Sequence, residues 1–544
     1  MNIISKKHLF FIFSILLTAF YFTYDLDNLD GLRQGTEGFY LQVSKEMEAK
    51  SSVMTPYYRG ERHWSKPPLH FLFPLPLSKT GYFTHIHSAR LSIAFLTIFL
   101  LVIASYWVKR HFQIESHATF IFLACTVGMF KYARIFMMEI PLSLLTFVSI
   151  LLFYDYLKFK KLYYMLLAIF FGACAILIKG PVSIIITGAS FFIYMVYRFI
   201  AHKKNLFKPI IIYGSATVLL GSLWFIASYI SYGDEFFNYF FLRENVGKFT
   251  AKSYPVRHVI QGLLIFTLPW SLFLPYSYLS FKDFFTSQGK HETKNTLIFI
   301  IINAFTFLVV WLIPSQRSHH YAMPAVPFFL ILILVTLVKP YSSQSESDKR
   351  INIYKTGNIL LFIASLLVFT LLAVICYYVD IILPNKDFFY PMALYLTILF
   401  GSAVAFYKSR SVALKGLSAQ TFIGIVWVLL SPHFIPSFIP QKVQDIIGEK
   451  SVIAHVRKPY FVEEAIDRKI ELLHPSKMAE TSRPQAVYIL KLEDFINYKL
   501  KGKSTVLHKW SIWRRRTTLK QITNALKTRD ISSIRQVYVI FKKP

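Results

Sequence analysis

Cysteine is scarce in this chain: there are three in 544 residues, and Cys125, Cys174 and Cys376 all lie inside apolar runs. That excludes a disulfide framework and a thiolate zinc site as the basis of the fold. Charge is scarce as well, at 16% of residues, and the acids are outnumbered, with 29 Asp and Glu against 60 Lys and Arg. No internal repeat is evident, which weighs against a secondary transporter built from repeated halves. The formal charge of +31 invites a nucleic-acid reading, but most of it sits in short gaps between apolar runs. Anionic membrane lipids are the simpler counterpart there, and no nucleic-acid partner is expected.

Apolar residues are in excess. They make up 54% of the chain, with 53 Phe and 33 Tyr, more than the core of a water-soluble enzyme needs. A spanning helix takes about 20 mostly apolar residues. Runs of that kind centre on 8–25, 86–108, 115–134, 138–157, 162–178, 181–200, 209–231, 258–280, 295–313, 321–338, 357–379, 389–407 and 412–431. The first follows Lys6 and Lys7 without a small-residue cleavage site and reads as a retained anchor.

Short loops rich in Lys and Arg stay in the cytoplasm. With the amino terminus inside, the inner gaps hold Lys109-Arg110, Lys158-Lys160-Lys161, Arg198-Lys203-Lys204-Lys208, Lys282-Lys290-Lys294, Lys349-Arg350-Lys355 and Lys408-Arg410-Lys415. The outer side receives 26–85, 135–139, 179–180, 232–257, 314–320, 380–388 and the tail. The expected architecture is an all-α polytopic membrane domain of about thirteen transmembrane helices over 1–432, in the plasma (inner) membrane. A small extracytoplasmic α/β domain follows over 433–544. In that tail Ala486 to Leu490 and Val537 to Phe541 read as strands and Glu463 to Leu472 as helix. The cluster Arg514-Arg515-Arg516 reads as a solvated charge run or as a contact for anionic lipid or acceptor.

The outer gaps are where chemistry is expected. In the long gap 26–85, Phe39, Tyr40, Val43 and Met47 recur at helical spacing within Glu37 to Met54, the pattern of an amphipathic interfacial helix. Trp64-Ser65-Lys66-Pro67-Pro68-Leu69 follows, and two prolines after Lys66 stiffen the chain and fix where its ammonium points. A helix stop with a snorkelling lysine explains the same residues. Arg134 and Glu139 flank the next gap. An acid at the mouth of a span needs a partner or a task, and pairing with Arg134 is one such partner. Lys179-Gly180-Pro181, then Arg243 and Glu244, then Arg317-Ser318-His319-His320-Tyr321 keep cations on the side where the charge bias discourages them. Such cations imply an anion to hold, and phosphate suits both Lys and Arg.

In that order, Thr36-Glu37 with Tyr40, Trp64 to Leu69, Ala133-Arg134 to Glu139-Ile140-Pro141, Lys179-Gly180-Pro181, Glu244-Asn245-Val246-Gly247-Lys248-Phe249 and His320-Tyr321 to Pro324 resemble a known family. It is that of the polyprenyl-phosphate-sugar glycosyltransferases of the GT-C fold, specifically the group with the aminoarabinose lipid A transferase and the protein O-mannosyltransferases. The resemblance runs over about 8–340 as ordered motifs and beyond that only as hydropathy. It implies transfer of a sugar from a polyprenyl-phosphate carrier to a lipid, glycan or protein acceptor on the extracytoplasmic face. It also matches the family's two acids to Glu37 and Glu139, its phosphate-proximal lysine to Lys66, and its His/Tyr stretch to His320 and Tyr321. Departures mark a divergent member. Thr36-Glu37 and Phe39 stand where relatives often have Asp-Glu and Arg, and Ser65 stands where aminoarabinose transferases commonly have a Glu associated with metal.

A phosphate-linked sugar already carries its leaving group. The reaction then needs a base for the acceptor hydroxyl and cations for the departing phosphate. Either Glu37 or Glu139 is the base. Lys66 is the first choice of phosphate clamp, with Arg134, Lys179, Arg243 and Arg317 behind it. Tyr40, His63, Trp64, Glu244, His319, His320 and Tyr321 are candidates for substrate contact. A divalent metal stays open, since several outer histidines are potential ligands, yet no His/Glu spacing makes a ready cage. The rival classes are a transporter, which would bury its charges near the membrane centre, and a non-catalytic lipid-binding or assembly protein, which would not need both acids.

Overall fold

The computed structural model describes residues 6–28, 36–246, 254–286, 291–315, 317–338, 348–377, 389–430, 438–500, 502, 504–514 and 517–544. Gly247, Lys248 and Phe249, Gln316, the gap at 380–388, and Arg515 and Arg516 lie outside the described residues, as do the side chains of Asn245 and Cys376.

Among the described residues nine helices are long and apolar enough to cross a membrane: His85–Phe112, Glu139–Phe159, Leu162–Lys179, Val182–His202, Phe207–Glu244, Glu292–Val310, His319–Val338, Ile351–Leu372 and Val412–Leu430. Arg257–Phe266 and Trp270–Phe281 make a further pair bent by 100°. Over the described residues every apolar run falls largely on helix, but two of the thirteen are broken. Lys6–Thr23 and Phe389–Lys408 run for 18 and 20 residues, each bordering residues outside those described. The run at 115–134 is two helices, Ser116–Ala124 and Val127–Tyr132, because Thr126 is extended and its hydroxyl caps the second by accepting from the Met129 amide at 3.2 Å. The run at 258–280 is the bent pair, broken at Pro269, which has no amide to give a continuing helix.

The chain divides into two compact units. The first holds Met1–Leu26, Val43–Leu367 and Ile398–Ile425. Its most enclosed spans are Glu139–Phe159 and His319–Val338, buried over 89% and 83% of their apolar windows, against 22% for Val182–His202. Only Lys160 and Lys161 separate Glu139–Phe159 from the antiparallel Leu162–Lys179. The start of one helix and the end of the other therefore meet about 30 Å from the turn. Glycines allow close neighbours: a Cβ on Gly172 would lie 2.8 Å from Thr217 Cγ2, and one on Gly221 would lie 2.7 Å from Ile176.

The expected amphipathic helix forms as Glu37–Ala49, ending short of Met54, with Val43 and Met47 buried and Phe39 and Tyr40 half-buried. A hairpin follows, Tyr57–Tyr58 (β1) with Glu61–Arg62 (β2). Its turn residues Arg59 and Gly60 both have positive φ, 54° and 88°, the requirement of a two-residue type I′ turn. The Glu46 carboxylate accepts both of their amides, at 2.7 and 2.8 Å.

The second unit holds Asp27–Gln42, Val368–Thr397 and Val426–Pro544. It contains a five-stranded sheet in the order β4-β3-β5-β7-β6, where β3 is Ser451–Ala454, β4 Glu471–Leu472, β5 Ala486–Lys491, β6 Thr505–Trp513 and β7 Arg535–Lys542. β3 pairs in parallel with β4 and β5, while β7 runs antiparallel to β5 and β6. Alternate residues fill two cores, Val452, Val487, Ile489 and Ile540 on one face and Ile453, Tyr488, Leu490 and Phe541 on the other. The helix expected from Glu463 to Leu472 is instead Tyr460–Ile466, closed by Asp467 at φ 48°, and Glu471–Leu472 joins the sheet as β4.

Candidate functional site

Three helix ends meet at one rim of the first unit. Glu139 opens Glu139–Phe159, where an acid complements the positive end of the helix dipole. Lys179 closes Leu162–Lys179, where a cation suits the opposite end, and Gly180 follows at φ +82°, a conformation that favours glycine. His320 lies in the first turn of His319–Val338. Glu139 Oε1 is 3.7 Å from Lys179 Nζ and 3.6 Å from His320 Nε2. Both distances exceed the direct hydrogen-bonding range of about 2.7–3.2 Å. Oε2 is buried and has no hydrogen-bond partner among the described residues. The carboxylate is 6% exposed, Lys179 15% and His320 32%, so the cluster opens on the side of Lys179 and His320.

Surrounding groups hold these three in place. The Lys179 ammonium stands over the rings of Trp311 and Tyr321, 5.4 and 5.3 Å from their centroids, and those rings stack on each other at 4.6 Å. The Ser318 hydroxyl lies 2.9 Å from His320 Nδ1. A Cβ on Gly262 would meet the His319 carbonyl oxygen at 2.1 Å, so the helix Arg257–Phe266 touches this backbone directly.

His70, one of the outer histidines that the sequence leaves open as metal ligands, belongs beside them. It sits on the short helix Leu69–Leu72 just after Lys66-Pro67-Pro68, fully buried and stacked on Phe136 at 4.1 Å. Burial pushes its imidazole down to about 3, against the upward pull of Glu139. Trp311 was missed, because interfacial aromatic residues are common enough to hide it. Lys66 is half-buried, and its ammonium donates to the Ser65 carbonyl at 2.6 Å.

Other candidates lie in different settings. The Arg134 guanidinium donates to the carbonyls of Tyr21 and Tyr24, so the pairing with Glu139 considered from the sequence does not form. Arg317 donates to the carbonyls of Leu312 and Tyr254 at 2.8 and 2.9 Å. His63 Nδ1 is 2.9 Å from the Tyr239 hydroxyl, and Arg243 stands over the Tyr239 ring at 4.8 Å. Glu244 is half-buried, and His319 stacks on His258 at 4.9 Å. Trp64 requires correction: it is 1% exposed, packed among Tyr232, Phe236 and Tyr239, whereas stacking on a sugar needs an open ring face. Glu37, buried, and Tyr40, half-buried, belong to the second unit.

No group of three or more His, Cys, Asp or Glu side chains among the described residues is placed to hold a metal ion. At the rim the donors are one carboxylate and an imidazole, with an ammonium 3.7 Å from the carboxylate. The ammonium offsets the carboxylate, so the cluster carries no excess negative charge to draw a divalent cation.

These features define a multi-pass membrane protein with an ionic cluster at one end of its helical bundle and a separate α/β unit. Two solved structures of ArnT from Cupriavidus metallidurans, one bound to undecaprenyl phosphate and one in the apo state, superpose with TM-scores of 0.67 and 0.68. Each is 15% identical, with 98% of this chain and 97% of the other covered. The fold is therefore GT-C, as in ArnT. Two uncharacterized proteins of Aquifex aeolicus (strain VF5) are each 26% identical, over 379 residues (69% of this chain and 70% of that protein) and over 344 residues (62% and 74%). No family model matches.

Proposed function

We propose that the chain is an integral membrane glycosyltransferase that moves a sugar from a polyprenyl-phosphate carrier to a lipid, glycan or protein acceptor on the extracytoplasmic face. The observation that carries this reading is the rim itself: a buried carboxylate with one oxygen between an ammonium and an imidazole and the other without a hydrogen bond. Support comes from the fold shared with an ArnT that binds undecaprenyl phosphate. In this reading Glu139 accepts the proton of the acceptor hydroxyl as the acceptor oxygen bonds to the anomeric carbon. The bond from that carbon to the phosphate oxygen breaks, and the phosphate leaves with the electron pair. A single displacement of this kind inverts the anomeric centre. In the same reading Lys179 and His320, with Lys66 as the family's phosphate-proximal lysine, stabilise the developing phosphate charge more than the ground state. Glu37 is the alternative base.

The test is mass spectrometry of envelope lipids, glycans and proteins from cells lacking the gene and cells complemented with wild type or Glu139→Gln. A sugar mass restored by wild type and not by an equally abundant Glu139→Gln supports the proposal. Restoration by both removes Glu139 as the base, and no sugar mass that depends on the gene refutes the activity.

A further inference from the structure

A second cationic site stands at the far end of the same helices. A cavity of about 600 Å³ is lined by Lys158, Lys160, Arg198, His202 and Lys204, with Tyr154, Tyr194, Asn205, Glu292 and Asn295 among its other walls. Glu139 opens a helix whose last turn carries Lys158, so the cavity lies a span's length from the rim. Its volume falls within the range of small-molecule sites.

The charge in this cavity is not neutralised from within. Glu292 is its only lining carboxylate among the described residues, and it is taken by Lys158 at 3.3 Å. Asp155, on the same helix, is already held by Arg110 at 2.5 Å and His111 at 2.6 Å. Lys160, Arg198 and Lys204 remain in excess. Arg198 donates to the Tyr194 hydroxyl at 3.3 Å, while its Nε is buried with no hydrogen-bond partner among the described residues. A buried donor of that kind costs free energy unless an acceptor reaches it. Exposed apolar side chains adjoin the lining in the chain: Phe159 beside Lys158 and Lys160, Phe199 beside Arg198, and Phe207 beside Leu206. An ion that is only phosphate would leave these bare, whereas acyl chains would cover them.

We propose that this cavity binds the phosphate headgroup of an anionic membrane lipid, with Arg198 and Lys204 gripping the phosphate and Phe199 and Phe207 flanked by its chains. The site is independent of sugar transfer.

The experiment is native mass spectrometry of the full-length protein released from mixed micelles holding phosphatidylglycerol and phosphatidylcholine, with inorganic phosphate as a separate arm. The wild type should retain phosphatidylglycerol over phosphatidylcholine. Arg198→Gln with Lys204→Gln should weaken retention about thirty-fold, at the usual contribution of each basic residue near an anionic surface. Glu292→Gln frees Lys158 and should strengthen it, so the prediction survives even if the double variant fails to fold. Equal retention of both lipids by wild type overturns the proposal, as does unchanged retention in Glu292→Gln or in a folded double variant. Retention of inorganic phosphate without retention of phosphatidylglycerol overturns the lipid as the source of the phosphate.

Discussion

Replacing Lys179 by Met tests the rim most directly. Its ammonium stands 3.7 Å from Glu139 Oε1, with the two side chains 15% and 6% exposed. At an effective dielectric of about 20, unit charges at that distance attract by ~4 kcal/mol. Removing one member of a buried pair costs about 3–5 kcal/mol, because the remaining charge is left in a poorly solvated place. Lys179→Met is therefore expected to lose a few kcal/mol of stability and to slow transfer by about 10²–10³-fold, the usual scale for a lost stabiliser of developing charge. The two effects separate in a double-mutant cycle. Adding Glu139→Gln removes the stranded carboxylate, so the double variant should be more stable than Lys179→Met alone, although no more active. Thermal unfolding of purified protein in detergent reads the first effect, and sugar release from the lipid carrier reads the second. If the two stability losses simply add, Lys179 and Glu139 are not coupled and the rim does not act as a unit.

Three further perturbations follow from the geometry. Gly262→Ala places a methyl against the His319 carbonyl, so it should displace His319 and His320 and lower transfer about 100-fold or more with the protein still made; wild-type turnover would contradict the close backbone approach. His70 is held neutral when folded, with its value lowered to about 3 from 6.5. The unfolded chain thus binds a proton here that the folded chain does not as the pH falls from 6.5 toward 3, and stability declines by about 1.4 kcal/mol per pH unit over that window. His70→Gln should flatten this acid slope in unfolding measurements, and an unchanged slope would refute the assignment. Glu37→Gln should lower transfer about 10²-fold or more if Glu37 rather than Glu139 is the base, with protein levels unchanged; full activity in it leaves the role to Glu139 alone.

The legible part of this molecule and the hidden part differ in their physics. Hydropathy locates the helices because burial in lipid acts over about 20 residues at once, but an average over such a window passes through the extended Thr126 and the bend at Pro269 without registering them. Glu139 and Lys179 stand out for a related reason: an ionisable side chain at a helix mouth is costly enough to need an explanation, and both do come together at 3.7 Å. Arg134 and Arg317 carry the same signal in sequence, yet their donors go to the backbone carbonyls of Tyr21, Tyr24, Leu312 and Tyr254. Nothing in a residue's type or spacing distinguishes a guanidinium tying down distant backbone from one left to meet a ligand. His70 and Trp64 show the converse. Both adjoin the Lys66-Pro67-Pro68 turn, but the turn sends one ring onto Phe136 near Glu139 and the other into an aromatic cluster with Tyr232 and Phe236. The charged rim can be anticipated because short connections bring successive helix ends to the same level. The neighbours that shape its chemistry depend on packing between segments far apart in the chain, and that appears only in three dimensions.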